Sequence, residues 1–159
     1  MMVKDIIDED YQDYKKTSMM IATCLCDWKC LTETGLSLDI CQNSELAKQK
    51  NIDVSIDLIV NRYIKNPLTQ AVVFGGLEPM LQFNDIFKVI QGLRMWNNDD
   101  IVIYTGYYPE EIQDKIETLK QFSNIIVKYG RFIPDSVSKF DDVLGVQLSS
   151  ANQFAVKIS

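Results

Sequence analysis

The sequence of 159 residues contains no histidine. This absence excludes a Ser-His-acid triad, a histidine-activated cysteine nucleophile, histidine-ligated zinc and a histidine charge switch near neutral pH. Basic residues are also few, since 16 Lys and Arg stand against 22 Asp and Glu for a formal net charge of −6. Binding the phosphates of nucleic acid requires clustered basic residues, so we expect no nucleic-acid partner.

Long apolar runs are missing as well. No stretch approaches the roughly 18 residues of a membrane span, and no signal peptide opens the chain, so we expect a cytoplasmic protein with no membrane partner. The chain has four cysteines. In a reducing compartment these should be free thiols or metal ligands rather than disulfides.

Apolar runs alternate with segments of helical periodicity along most of the chain. The runs predict strands at 19–22, 71–74, 101–104, 125–127 and 154–158. The periodic segments predict helices at 54–64, 86–96 and 112–122, with Asn84 as the N-cap of the second helix. Continuously apolar strands are typical of a parallel sheet covered on both faces. We therefore expect one α/β domain of alternating βα units with a mainly parallel sheet over 18–159, preceded by an N-terminal helix or arm over 1–17.

The four cysteines, Cys24, Cys26, Cys30 and Cys41, lie within 18 residues after the first predicted strand. Ligands of parallel α/β domains bind beyond the carboxyl ends of the strands, so this clustering favours a metal or cluster site over four buried core thiols. Zinc sites usually pair cysteines across two to four residues on two knuckles, which the spacing of Cys24 and Cys26 does not match. Thiolates alone favour iron–sulfur, and a 4Fe-4S cluster with three cysteine ligands keeps one iron open for a substrate.

Two cysteine segments resemble a known family. Residues 26–30, C-D-W-K-C, resemble the first C-x-x-x-C of the radical S-adenosylmethionine signature, and Cys41-Gln42-Asn43 resembles the third cysteine and the following Asn of anaerobic ribonucleotide reductase activating proteins. The usual interval between the second and third cysteines is two residues, and here it is ten. Normal spacing would place Glu33 at the third position, but a carboxylate is a harder ligand than cluster iron prefers. The resemblance therefore implies Cys26, Cys30 and Cys41 as ligands, with Cys24 as a core thiol or a fourth ligand.

Further segments are similar to the same family and occur in the expected order. They are F-G-G-L-E-P at 74–79, similar to Gly-Gly-Glu-Pro with one inserted Leu; T-G-Y at 105–107; G-R-F at 130–132; and the Asn-Gln end of 145–153. Each segment by itself is a common turn or loop sequence. Their order after successive strands is the more specific signal.

The resemblance implies a partial, open (β/α) barrel of the radical S-adenosylmethionine type. It implies that a 4Fe-4S cluster binds S-adenosylmethionine, with Gly75, Gly76 and Glu78 near its amino group. Ile40, Gln42 and Asn43 would border the adenine pocket. No side chain is assigned as a catalytic acid or base, because the cofactors carry the chemistry.

The implied activity is that of a glycyl radical activating enzyme. A 5′-deoxyadenosyl radical would abstract hydrogen from a glycine of a partner such as anaerobic ribonucleoside-triphosphate reductase, with a reducing donor such as flavodoxin. Three alternatives stay open: a radical S-adenosylmethionine enzyme with another substrate, a non-enzymatic iron–sulfur electron-transfer module, and a zinc-binding domain.

Overall fold

Strands and helices alternate through the computed structural model, which describes residues 1–159. The strands are β1 (Met2–Asp10), β2 (Ser18–Thr23), β3 (Ile52–Asp53), β4 (Ala71–Gly76), β5 (Asp100–Tyr104), β6 (Ile125–Tyr129), β7 (Lys139–Asp141), β8 (Val146–Leu148) and β9 (Phe154–Lys157). The helices are α1 (Lys29–Thr32), α2 (Ser44–Lys48), α3 (Ile56–Lys65), α4 (Phe83–Arg94) and α5 (Gln113–Leu119). No helix is both long enough and apolar enough to cross a bilayer.

Seven strands form one sheet in the order β3-β1-β2-β4-β5-β6-β9, and β7 and β8 form a separate hairpin. Strands β2, β4, β5 and β6 are parallel, and each lies beside the next in chain order. The flanking strands β1, β3 and β9 pair antiparallel. The structure confirms a mixed α/β domain with a parallel core to its sheet.

The three longer helices, α3, α4 and α5, cover only one face of this sheet. Apolar residues of α3, α4 and α5 form one core with alternate strand residues such as Ile21, Phe74 and Ile103. The opposite face carries Val73 and Val102 and is covered by Tyr14, Leu144 and Leu148 from non-helical segments. Crossovers between parallel strands are right-handed, so successive crossovers in one direction place all their helices on the same side. Both faces are covered, as the apolar strands predict, but α3, α4 and α5 cover only one of them.

The N-terminal segment corrects the expectation of a helix or arm over 1–17. Residues 2–10 form β1, which pairs antiparallel with β2 and β3. Val3 and Ile6 both join the helix-covered core, although an unbroken strand would place residues three apart on opposite faces. A register shift between Val3 and Asp5 provides the extra residue. This irregularity produces a spacing of three that imitates a helix.

Two smaller expectations also need adjustment. The last strand, β9, has the expected position but pairs antiparallel with β6, because the β7–β8 hairpin rather than a crossover helix precedes it. Helix α4 begins at Phe83, directly after a 3-10 turn over Pro79–Gln82, so Asn84 lies inside its first turn and does not cap it.

Candidate functional site

A cavity of about 480 Å³ opens on the face of the sheet opposite to α3, α4 and α5. Ala22, Gly75, Tyr104 and Lys128, near the carboxyl ends of the four parallel strands, line it. A Cβ at Gly75 would lie 2.7 Å from the Met20 Cε, so the glycine keeps this part of the wall open. Carboxyl ends of parallel strands are where α/β domains bind ligands.

Three of the four cysteines line this cavity together. Cys26 follows β2, Cys30 lies in α1, and Cys41 follows the 3-10 turn over Leu38–Ile40. Cys24 is buried instead beside a separate cavity of about 880 Å³, and its backbone N–H donates to Gln82 Oε1 at 2.7 Å. All four thiols are unpaired. The structure thus groups the three cysteines that the family resemblance selects and separates the fourth.

The thiols surround a space rather than a point. No three Cys, Asp or Glu side chains converge as the ligands of one metal ion would. The cysteines of a 4Fe-4S cluster bind different irons, so they need a shared cavity and soft thiolate donors. The donor set of Cys26, Cys30 and Cys41 fits such a group.

The protein environment affects the charge of these thiols. Burial raises the pKa of Cys26 to about 12, and a backbone N–H from Trp28, 3.3 Å from Sγ, acts in the opposite direction. Burial also raises the pKa of Cys30. Unliganded Cys26 and Cys30 are therefore protonated near neutral pH and bind metal only by releasing a proton. A second backbone N–H, from Asn43, donates to Cys41 Sγ at 3.4 Å.

Glu78 connects the loops that follow β4 and β5. Its carboxylate is 6% exposed and accepts hydrogen bonds from Thr105 Oγ1 at 2.7 Å, Gly106 N at 2.8 Å and Met80 N at 2.9 Å. Burial raises its pKa above the ordinary value, and these donors oppose the shift. A carboxylate has about four acceptor positions, so Glu78 has little capacity left for a ligand. Its main role here is to hold the two motif segments together.

Asn43 makes a similar connection to the glycine segment. Its Nδ2 donates to the carbonyl oxygen of Gly76, which has a φ of +81°. The cavity lining includes every predicted site residue except Ile40, which is 43% exposed and does not contact it. Glu33, which normal spacing would make the third ligand, is bound to Arg131 instead.

The sequence prediction missed Lys128. This lysine lines the cavity with 7% exposure, and its Nζ donates one hydrogen bond, to the Gly130 carbonyl oxygen at 3.1 Å. Burial lowers its pKa to about 8, against the charge of Glu78. An ammonium group has three donors, so Lys128 can still bind an anionic ligand group. One sequence signal could have identified it: Lys128 directly follows the apolar run 125–127 of a strand predicted to be buried.

Acidic residues of β1 and of the segment after it also line the cavity. Asp5, Asp10 and Asp13 are among the lining side chains, and burial, followed by the charge of Asp10, raises the pKa of Asp13 to about 6. The Asp13 carbonyl oxygen accepts a hydrogen bond from the Tyr104 hydroxyl, so the segment after β1 crosses the face of the sheet as far as β5. The cavity lining therefore includes these carboxyl groups as well as the Lys128 ammonium.

The chain matches a known protein family. Residues 17–154 match the family described as 4Fe-4S single cluster domain. The matched range contains the four cysteines and every residue singled out in the cavity except those of β1 and the segment before β2. Searches of curated proteins and of solved structures found no match.

Proposed function

The chain belongs to the 4Fe-4S single cluster domain family, and from this we propose a radical S-adenosylmethionine enzyme whose cluster is held by Cys26, Cys30 and Cys41. One observation carries the proposal: these three thiols and the Gly75-Gly76 segment line a single cavity beyond the parallel strands. Three thiolates leave one iron of a 4Fe-4S cluster without a protein ligand, so a cosubstrate can bind there. The chain order of the parallel strands and the one-sided helices support a partial, open (β/α) barrel.

Cys26, Cys30 and Cys41 would hold a 4Fe-4S cluster, which would supply one electron for the cleavage of a sulfonium carbon–sulfur bond of S-adenosylmethionine into methionine and a 5′-deoxyadenosyl radical. The protein positions the cosubstrate for this step. Gly75 and Gly76 present no side chain, so the methionine end can reach the backbone. The Lys128 ammonium is suited to bind its carboxylate, because a buried cation has few other partners. Glu78 holds the loop after β5 beside the cavity by accepting hydrogen bonds from Thr105 and Gly106.

We propose a glycyl radical enzyme, such as anaerobic ribonucleoside-triphosphate reductase, as the partner, and a reducing protein such as flavodoxin as the electron donor. Residues 32–40, next to the third cysteine, are all exposed and include Leu36, Leu38 and Ile40. An exposed aliphatic segment beside a cavity supports completion of the site by another protein. The four unpaired thiols suit the reducing cytoplasm.

Anaerobic reconstitution with iron and sulfide tests the proposal. The protein should turn brown, bind one 4Fe-4S cluster per chain, and release 5′-deoxyadenosine and methionine from S-adenosylmethionine when reduced. Cys41→Ala should lose the cluster. Cys24→Ala, the matched control, should retain it because that thiol lies outside the cavity.

Other outcomes identify the alternatives. Zinc without visible absorption would refute the cluster, and a stable cluster without cosubstrate cleavage would indicate an electron-transfer module. An electron paramagnetic resonance doublet from a glycyl radical should appear when the reductase is added. Cleavage without that doublet across candidate enzymes would indicate a different substrate.

A further inference from the structure

The turn that carries Cys26 and Cys30 has little apolar anchoring of its own. Helix α1 spans four residues, and Leu31 is its one buried residue. The preceding residue, Trp28, has a left-handed backbone with a φ of 58°. A helix of one turn is not stable in isolation. Contacts from other parts of the chain must therefore hold the two thiols in position.

Charged side chains of the turn supply these contacts. Each binds a residue of the loops after β5 and β6: Asp27 with Tyr107, Lys29 with Glu111, and Glu33 with Arg131. The Lys29 Nζ lies 3.1 Å from Glu111 Oε1 and 4.8 Å from the centre of the Tyr107 ring. The turn is thus attached at both ends and in the middle.

Arg131 is the centre of this network. It is 8% exposed, and its two terminal nitrogens donate to the two carboxylate oxygens of Glu111 at 2.7 and 2.8 Å. One of them also donates to Glu33 Oε1 at 2.9 Å, and the guanidinium lies 5.2 Å from the centre of the Tyr108 ring. Only a planar guanidinium can make this forked contact, so lysine cannot replace it geometrically.

Arg131 also lies close to the thiols. It lines a small cavity of about 30 Å³ together with Cys26, Cys30 and Glu78. Its network contains two positive charges, from Lys29 and Arg131, and two negative charges, from Glu33 and Glu111. Loss of Arg131 would leave a net charge of −1 beside the cysteine turn.

We propose that Arg131 is a positioning residue for the iron–sulfur cluster, holding the turn of Cys26 and Cys30 in place and raising the reduction potential of the cluster by its charge. Nearby positive charge stabilises the reduced cluster, which is the more negative state. The inference rests on the cluster proposed above and does not require cosubstrate cleavage.

Reconstituted protein and three variants test this role. Arg131→Gln should lower the midpoint reduction potential of the cluster. The measurement is a redox titration monitored by the electron paramagnetic resonance signal of the reduced cluster. The same variant should also weaken cluster retention against a chelator by about 10–100-fold, the usual effect of losing an outer partner of a metal ligand. Arg131→Lys should keep the potential near that of the wild type but lose retention. Glu33→Gln should raise the potential, because it removes a negative charge.

Lys120→Gln is the control, since Lys120 pairs only with Glu117 on an exposed helix end. Arg131→Gln with the potential and retention of this control would overturn the proposal. So would potentials that shift in the same direction in Arg131→Gln and Glu33→Gln, because a purely structural effect does not depend on charge sign. Wild-type protein that binds no iron would overturn both proposals. A cluster that forms but does not cleave S-adenosylmethionine would refute the proposed function alone.

Discussion

Gly76→Ala should destabilise the protein, because the backbone conformation and the close packing at position 76 each favour glycine. Its φ of +81° is left-handed, which costs a residue with a Cβ about 1–2 kcal/mol. An added Cβ would lie 3.0 Å from Ala22 Cα and 3.1 Å from Ala22 Cβ on β2. Ala22 pairs with Gly75 in the parallel core, so it cannot move without disturbing the sheet.

The expected cost combines these two effects. Inserting a methyl group into a tight site costs about 1–3 kcal/mol, so together with the backbone strain we expect a loss of about 2–5 kcal/mol. Domains of this kind have a free energy of unfolding of about 5–15 kcal/mol, so the change is readily measured. The measurement is urea unfolding of the metal-free protein under anaerobic, reducing conditions.

Two other glycines separate the two effects. Gly35 also has a positive φ, +68°, but an added Cβ would meet nothing within 4 Å, so Gly35→Ala should show the backbone cost alone. At Gly75 the added Cβ would crowd the flexible end of Met20 and lie at an ordinary contact distance of 3.8 Å from Tyr104 Cβ, so Gly75→Ala should show the crowding effect in its mild form. Gly76→Ala within about 0.5 kcal/mol of Gly35→Ala would refute the close approach to Ala22 as a source of destabilisation.

Two further predictions concern pH. Burial lowers the pKa of Lys128 to about 8, so the folded protein releases this proton before the unfolded chain does, and stability should rise from pH 8 towards the ordinary lysine pKa of 10.5. Lys128→Met should remove that rise and be the more stable protein at pH 7, measured by urea unfolding across pH; an unchanged slope would contradict it. The hydrogen bond from Arg131 lowers the pKa of Glu111 to about 2 from 4.5, so its stabilising effect is complete above pH 4.5 and is lost as pH falls towards 2. Glu111→Gln should flatten this part of the acid-unfolding profile, and a parallel profile would show that the ion pair does not contribute.

Periodicity predicted the core of the fold because the core elements are locally consistent. Strands β2, β4, β5 and β6 each contain a continuous apolar run of at least three residues, and they are the strands buried on both faces. The ends of helix α3 are also set by local sequence. Its Ser55 cap accepts from Leu58 N, and it ends before Asn66-Pro67, where proline disfavours continuation.

The N-terminal strand could not be predicted in this way. The spacing of Val3 and Ile6 follows from a register irregularity that only the pairing with β2 reveals. The antiparallel direction of β9 likewise depends on the hairpin before it, which has too few apolar residues to produce a periodic signal.

The cysteines that line the cavity could be singled out from the sequence, but the side chains that contact their turn could not. Cys26, Cys30 and Cys41 stand out by residue type and spacing. The pairing of Glu33 with Arg131, 98 positions apart, depends on where two loops meet at the ends of different strands. No local pattern encodes such a contact.

By itself the sequence determined which side chains are available as soft metal ligands, since it lacks histidine and places four thiols in one short segment. It also determined the parallel core of the sheet. Tertiary structure decided which thiols share a cavity. Cys24 and Cys26 lie two residues apart, yet they line different cavities. It also decided that Lys128 is buried beside the ligand space, because a strand position acquires its surroundings only when neighbouring strands and loops pack around it.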